Sequence, residues 1–276
     1  MKLGYDTNGL AHHRWDDALR LIADAGYRSV AITVDHHCLA PTSRDFRSQM
    51  AQMQALLERL RLSCVIETGA RYLLDPYRKH QPTLLSPTTE GRGHRQQFLS
   101  QCVELAEELH ADAVSFWSGT PMDEPGPDIV WNRLLDGCRR LTDEAGRRGV
   151  RLAFEPEPGM FVETCDQFAR LADQIDAPHF GLTLDIGHVH CLGDGAIADR
   201  IRQFAARLYN VHIEDMRPGV HEHLRFGEGT IDFPPVFAAL KDVGYTGGLH
   251  VELSRDSHRA PEALAESFAF LSQWVK

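Results

Sequence analysis

Four apolar runs in the second half of the chain end on side chains able to bind a metal ion or move a proton. Leu152-Ala153-Phe154 runs into Glu155-Pro156-Glu157, and Leu182-Thr183-Leu184 into Asp185-Ile186-Gly187-His188. Tyr209-Asn210-Val211 runs into His212-Ile213-Glu214-Asp215, and Leu249-His250-Val251 into Glu252. One acidic residue after a strand is ordinarily a solvated loop carboxylate or a helix cap. Four successive runs that otherwise exclude charge, each ending this way, point elsewhere. Buried unpaired carboxylates are costly, and a shared cation is the usual compensation. The 15 histidines of the chain strengthen the case, since imidazole is the commonest metal ligand and titrates near neutrality. These residue types predict a divalent-metal site with acid–base groups around it.

Such side chains act together only if the strands that carry them lie side by side, and a repeated unit supplies that arrangement. Leu21-Ile22-Ala23-Asp24-Ala25-Gly26 precedes Ser29-Val30-Ala31-Ile32-Thr33-Val34. Leu141-Thr142-Asp143-Glu144-Ala145-Gly146 and Leu240-Lys241-Asp242-Val243-Gly244 precede strand-like runs in the same way. Glycine behind a helix ends it in the left-handed conformation, and short apolar runs so bounded are buried parallel strands. The spacing predicts strands at 3–6, 29–34, 62–67, 113–117, 150–155, 181–185, 208–213 and 248–253. Helices are predicted at 14–25, 43–60, 92–110, 128–147, 163–176, 194–206, 233–243 and 260–274. Eight alternating pairs predict an α/β fold, a single-domain (β/α)8 TIM barrel over residues 1–276, whose active site lies at the C-terminal strand ends. The irregular stretch from Tyr72 to Gly91, with Pro76, Pro82 and Pro87, is expected to lie over that mouth.

The formal net charge of −10 argues against nucleic acid as a partner, because phosphate neutralisation needs a basic face. No apolar run has the length needed to span a bilayer. The N-terminal Met1-Lys2-Leu3-Gly4-Tyr5-Asp6 reads directly into a strand rather than a signal segment. A cytoplasmic location is expected, with no membrane partner; assembly into a homo-oligomer is left open. The six cysteines (Cys38, Cys64, Cys102, Cys138, Cys165 and Cys191) are scattered, which reads as buried free thiols. Cys191 stands out by following His188 and His190.

Phe154-Glu155-Pro156-Glu157, Thr183-Leu184-Asp185-Ile186-Gly187-His188, Val211-His212-Ile213-Glu214-Asp215, Phe226-Gly227-Glu228-Gly229 and Val251-Glu252 together resemble the xylose-isomerase-like superfamily. Within it the chain is most similar to the sugar phosphate isomerase/epimerase branch, which includes ketose 3-epimerases, inosose dehydratases and hydroxypyruvate isomerases. Apurinic endonucleases share the same barrel. The resemblance covers essentially the whole chain. It implies that Glu155, Asp185, His212 and Glu252 hold the metal and that Glu155 and Glu252 also form the catalytic acid/base pair. It further implies that His188 contacts substrate, a position that binds a second metal in the endonucleases, and that Gly227-Glu228-Gly229 closes the site.

The chemistry of those residues agrees. Three carboxylates and one imidazole form a hard, oxygen-rich set suited to Mn2+, Mg2+ or Co2+, with Zn2+ or Fe2+ tolerated. A metal that chelates a carbonyl and its neighbouring hydroxyl acidifies the C–H between them and stabilises the enediolate. One glutamate on each face can then remove and return the proton. The expected activity is a metal-dependent isomerase or epimerase of a small sugar, keto-polyol or sugar phosphate. A dehydratase or lyase on the same scaffold is the alternative, and an endonuclease-like phosphodiesterase a more distant one.

The endonucleases need histidines after the third and fourth strands. Here those strands run into Glu67-Thr68-Gly69-Ala70-Arg71 and Ser115-Phe116-Trp117-Ser118-Gly119. His221 and His223 do match the spacing of endonuclease loop ligands, so a second metal stays open, with substrate contact as the other role. Glu157, His188, Trp117, Arg71 and His223 are the candidates for substrate binding. Trp117 can stack on a sugar ring or simply pack, and Arg71 can anchor an anion or pair with an acid. Arg78-Lys79-His80 reads as a solvated charge run or an anion grip. His12-His13 and His36-His37 follow the first two strands and are expected at the mouth, whereas His94 and His110 are expected at the helix surface.

Overall fold

Alternate residues of a strand face opposite sides of a sheet, and that rule decides what meets inside this molecule. The computed structural model describes residues 1–275. Its strands are β1 (Lys2–Asp6), β2 (Ser29–Thr33), β3 (Ser63–Glu67), β4 (Val114–Trp117), β5 (Leu152–Glu155), β6 (Phe180–Asp185), β7 (Leu208–Ile213), β8 (Asp215–Arg217), β9 (Val220–Leu224) and β10 (Gly248–Val251). β1 to β7 and β10 close in chain order into one barrel, with parallel pairing throughout, β10 returning to β1. β8 and β9 form a separate antiparallel hairpin.

The helices are α1 (Trp15–Asp24), α2 (Phe46–Leu60), α3 (Thr89–Glu108), α4 (Pro127–Arg148), α5 (Cys165–Ile175), α6 (Ile186–Leu192), α7 (Ile197–Gln203), α8 (Phe233–Asp242) and α9 (Ala260–Leu271). Local chemistry sets several ends. Thr164 and Gln167 form a capping box at the start of α5, which satisfies two otherwise unpaired donors. Gly149 ends α4 with φ +68°, a left-handed conformation that glycine adopts without steric cost.

Each predicted strand exists, with ends moved by one or two residues. Two expectations need correction. The helix expected over 194–206 is the shorter α7, and an unexpected helix, α6, precedes it, because Asp185 caps α6 directly behind β6 and Gly193 ends it in the left-handed conformation. The hairpin of β8 and β9 is unexpected: Val220-His221-Glu222-His223-Leu224 has three polar residues in a row and no buried face to leave an alternating pattern. All six cysteines are free and buried, as expected. Among the described residues no helix is long and apolar enough to cross a membrane.

The outward faces of the strands build the apolar core. Phe154 of β5 packs against Phe116 of β4, Phe180 of β6 and Phe168 of α5, with ring centroids 5.2, 6.1 and 6.2 Å away. The inward faces are mostly small or polar, with Val65 of β3 a branched apolar exception. Thr183 donates to Ser115 at 2.9 Å, Ser29 Oγ lies 2.8 Å from His250 Nε2, and His250 Nδ1 lies 2.7 Å from Asn210 Oδ1. The buried His250 ring fits because residues 4 and 248 are glycines; a Cβ at either would collide with it. Burial pushes the pKa of His250 down to about 3, so it sits in this layer as a neutral donor–acceptor. The next inward layer toward the C-terminal ends pairs Thr33 with Glu67, Trp117 with Glu155 and Asp185 with His212. The register alone therefore gathers the candidate chemical groups into one ring.

Truncation at Phe154 separates the two faces. Phe154→Ala is expected to destabilise the fold by about 3–5 kcal/mol, the usual cost of emptying a buried aromatic site, in urea unfolding followed by circular dichroism. Glu155, on the opposite face of the strand, should keep its position, so metal binding measured below the unfolding transition should change little.

Candidate functional site

Glu155, Asp185 and His212 occupy the last inward positions of the adjacent strands β5, β6 and β7, and Glu252 follows the last residue of β10. One ligand atom from each of these four lies within 4.8 Å of the others. His212 Nδ1 is 3.1 Å from Glu155 Oε1, 3.0 Å from Glu252 Oε2 and 4.0 Å from Asp185 Oδ2. Asp185 uses its other oxygen to accept the His188 backbone N–H at 2.9 Å, which starts α6. Glu252 Oε1 accepts from Asn8 Nδ2 at 2.9 Å. The four residues assembled from sequence as the metal set are thus brought together around one edge of one imidazole.

The electrostatics of the cluster are those of carboxylates short of positive charge. Burial drives Glu155 well above the ordinary carboxylate range, against the pull of His212. Burial also opposes ionisation of Glu252, but His223 and His212 outweigh it and hold its pKa below the ordinary value. Asp185 too is held low, with burial opposed chiefly by His188 and His223. Burial disfavours the imidazolium of His212, and Glu155 and Glu67 reverse that, raising its pKa well above the usual histidine value. Asp185 Oδ2 is buried without a hydrogen-bond partner. An unpartnered buried oxygen facing two more carboxylates and an imidazole fits a hard divalent cation.

Glu155, His212 and Glu252 of this cluster line a cavity of about 640 Å³. Glu157, His188, Trp117, Arg71 and His223, the residues expected to contact substrate, all line it. Burial, then the neighbouring Glu252, push Glu157 up to about 7. His188 is pushed down to about 4 by burial; its Nδ1–H is 3.2 Å from the Pro156 carbonyl, so Nε2 presents a lone pair beside Asp185 Oδ2 at 3.4 Å. Trp117 is wedged between His80, edge-on at 5.1 Å, and the buried guanidinium of Arg95 at 4.7 Å, so it both packs and walls the cavity. Arg71 lines the cavity with Nη1 3.9 Å from Asp35. Lys79 and His80 of the long segment after β3 reach the cavity, as expected of a loop over the mouth, while Arg78 turns away to pair with Asp75 at 2.8 Å.

The hairpin of β8 and β9 brings His221 and His223 over α6. The rings of His188, His221 and His223 lie 4.7 to 5.7 Å apart. Behind them Glu214 is fully buried, with both oxygens unpartnered and His223 Nδ1 3.8 Å away. Burial, then Asp185, push Glu214 well above the carboxylate range.

Other expectations do not hold at this cavity. None of Gly227, Glu228 and Gly229 lines it. Their turn is tied beneath the hairpin instead, where Asp215 accepts the N–H groups of Gly227 and Ile231 at 2.9 and 3.1 Å. None of His12, His13, His36 and His37 lines it either; His13 and His37 face a smaller recess beside Asn8 and Arg71. His94 and His110 are exposed, as expected. Sequence reasoning passed over Asp6, Asn8, Glu67, Met160 and Arg255, which also line the cavity. Asp6 and Glu67 could have been found by reading the last residue of every strand instead of only the last four.

The description xylose isomerase-like TIM barrel matches residues 19–274. The chain is 26% identical over 263 residues to L-ribulose-5-phosphate 3-epimerase UlaE of Salmonella paratyphi C (strain RKS4594), a match covering 95% of this chain and 89% of that one. The D-allulose 3-epimerase of a Methylomonas species, crystallised with D-allulose, superposes with a TM-score of 0.78 at 18% identity, covering 99% of this chain and 96% of that one. The IOLI protein with a bound zinc atom superposes with a TM-score of 0.78 at 18% identity, covering 100% and 98%.

If the four-residue cluster is a metal centre, the purified chain should take up close to one Mn2+ or Co2+ per molecule in equilibrium dialysis with elemental analysis. His212→Ala and Asp185→Ala should abolish that stoichiometric uptake. Unchanged uptake by both variants would move the ion elsewhere.

Proposed function

The chain belongs to the xylose isomerase-like TIM-barrel family, and on that premise we propose that it is a divalent-metal-dependent epimerase or isomerase of a small ketose or ketose phosphate. The observation that carries this reading is the placement of Glu155 and Glu252. They come from strands separated by β6 and β7, yet both carboxylates lie within 3.1 Å of the same His212 nitrogen and both face the one cavity. The named relatives act on L-ribulose 5-phosphate or were crystallised with D-allulose, which supports a ketose as the substrate class.

Glu155, Asp185, His212 and Glu252 would hold the cation. Bound there, a divalent ion supplies the Lewis acidity that makes a C–H next to a substrate carbonyl acidic. The residues of the chain do the rest. Glu252 is held by Asn8 on one oxygen and faces His212 with the other, so its carboxylate is fixed in position. One of the two glutamates takes the proton from the substrate carbon, and the other, already protonated, returns one to the opposite face. That exchange inverts the carbon with no net gain or loss of protons. Glu157 and the Nε2 of His188 are placed to hydrogen-bond hydroxyl groups. Trp117 gives the sugar a flat apolar wall, and Arg71 and Lys79 at the mouth favour an anionic or hydroxyl-rich tail.

Nucleic acid is not among the proposed substrates. The chain is strongly acidic overall, and Glu67 and Trp117 stand at the ends of β3 and β4 where a nuclease of this fold would need histidines. The cytoplasm is the location that suits such a metabolic activity. An abasic DNA duplex should be neither bound nor cleaved; cleavage lost in Asp185→Ala would reverse this assignment.

For the epimerase reading, deuterium from D2O should enter the substrate carbon during turnover of a ketose, followed by proton NMR. Glu155→Gln and Glu252→Gln should each lower that exchange by about 10²–10⁴-fold, the usual contribution of a positioned acid or base, while retaining metal. Exchange at the wild-type rate in a metal-loaded variant would remove that residue from the proton path.

A further inference from the structure

Glu67 lies on the other edge of the His212 ring from the carboxylate cluster. His212 Nδ1 faces Glu155 and Glu252 at 3.1 and 3.0 Å, whereas Nε2 faces Glu67 Oε1 at 3.0 Å. The two ring nitrogens point away from each other, so Glu67 cannot join Nδ1 on a cation held by that cluster. A ligating imidazole has one nitrogen free to bind metal and one N–H to place elsewhere. We propose that Glu67 is the positioning residue of the site: it accepts the Nε2–H of His212 and thereby holds the Nδ1 lone pair on Glu155, Asp185 and Glu252.

The hydrogen bonds beneath Glu67 all run in the direction this requires. Ser29 donates to His250 Nε2 at 2.8 Å, and His250 Nδ1–H donates to Asn210 Oδ1 at 2.7 Å. Asn210 is thereby oriented with its Nδ2 toward Glu67 Oε1, to which it donates at 3.1 Å. Its remaining hydrogen reaches toward Thr183 Oγ1 at 3.5 Å. Glu67 Oε1 thus receives N–H groups from Asn210 and His212 together. The opposite tautomer would set a bare Nε2 lone pair against a carboxylate oxygen at 3.0 Å and push an N–H into the metal cluster. Asn210 Nδ2 also lies 3.1 Å from Nε2, and a donor there is the one contact that would suit that tautomer. The carboxylate outweighs it, because a hydrogen bond to a charged acceptor is about twice as strong as a neutral one. A buried carboxylate behind a ligating histidine fixes ring orientation and raises ligand basicity.

The role of Glu67 rests on the metal reading of the cluster, so the test uses Co2+ alone and no substrate. The first equivalent of Co2+ should give one paramagnetically shifted, solvent-exchangeable N–H resonance in the proton NMR spectrum, from His212 Nε2–H. Glu67→Ala should bind Co2+ about 10–100-fold more weakly and lose or displace that resonance. Glu67→Gln keeps an acceptor of the same shape without the charge. It should recover part of the affinity while the resonance still moves, and being isosteric it remains decisive if Glu67→Ala does not fold. Wild-type affinity and an unmoved resonance in Glu67→Gln would overturn the assignment and leave the metal centre standing. So would a wild-type Co2+ protein without any exchangeable imidazole N–H. Failure of the wild type to bind Co2+ at all would instead overturn the metal reading itself.

Discussion

Three carboxylates, Glu155, Asp185 and Glu252, crowd one edge of the His212 imidazole at the C-terminal end of the barrel. Like charges so close and so little hydrated repel strongly, since the energy of a charge pair rises as water is excluded. The nearest groups able to carry an offsetting positive charge are His212 within the cluster and His223 beside it. Much of the surrounding structure follows from that imbalance. Asp185 spends one oxygen on capping α6, Glu252 is anchored by Asn8, and His188 keeps its lone pair toward the cluster by donating its other nitrogen to a carbonyl. Each contact fixes a carboxylate or ring where a shared cation would relieve the repulsion.

Holding such a cluster rigid requires a rigid floor, and the barrel interior supplies one of an uncommon kind. Interiors of this fold are usually filled by bulky branched residues. Here the inward layer is Ser29, Ser115, Thr183, Asn210 and His250, joined by directed hydrogen bonds. A polar layer of this type is favourable only when nearly every member is satisfied, which is why His250 needs glycine at both 4 and 248 to enter it. The apolar core lies outside the strands, between sheet and helices. Stability and site geometry are thereby carried by opposite faces of the same short strands.

That division explains what could be read from the sequence. The outward residues, such as Val30, Ile32, Phe116, Phe154, Leu182 and Leu184, make the apolar runs and so reveal the strands. Glycine punctuation then gives the barrel. Glu155, Asp185, His212 and Glu252 were legible because each interrupts such a run at its end. Glu67 has the same position but was read only for the histidine it is not. Asn210 and His250 lie inside their runs and look like tolerated polar residues; only the closed register shows that they meet. The hairpin escaped because β9 has no buried face to leave a pattern, and His12, His13, His36 and His37 misled because following a strand does not make a side chain turn inward.

The layers also separate chemistry from selection. The carboxylate–histidine cluster belongs to strand ends and rests on the layer below, where parallel register leaves little freedom. Most of the wall above it comes from segments outside the barrel strands: Arg71, Lys79 and His80 from the stretch after β3, Glu157 and Met160 from the turn after β5, His221 and His223 from the hairpin, and Arg255 from the loop after β10. Changing any one of these segments alters the wall of the cavity without touching a ligand. On the proposed reading, proton transfer beside a carbonyl would ask the same of the floor for any substrate, and the part of the substrate that differs would lie against loops free to differ.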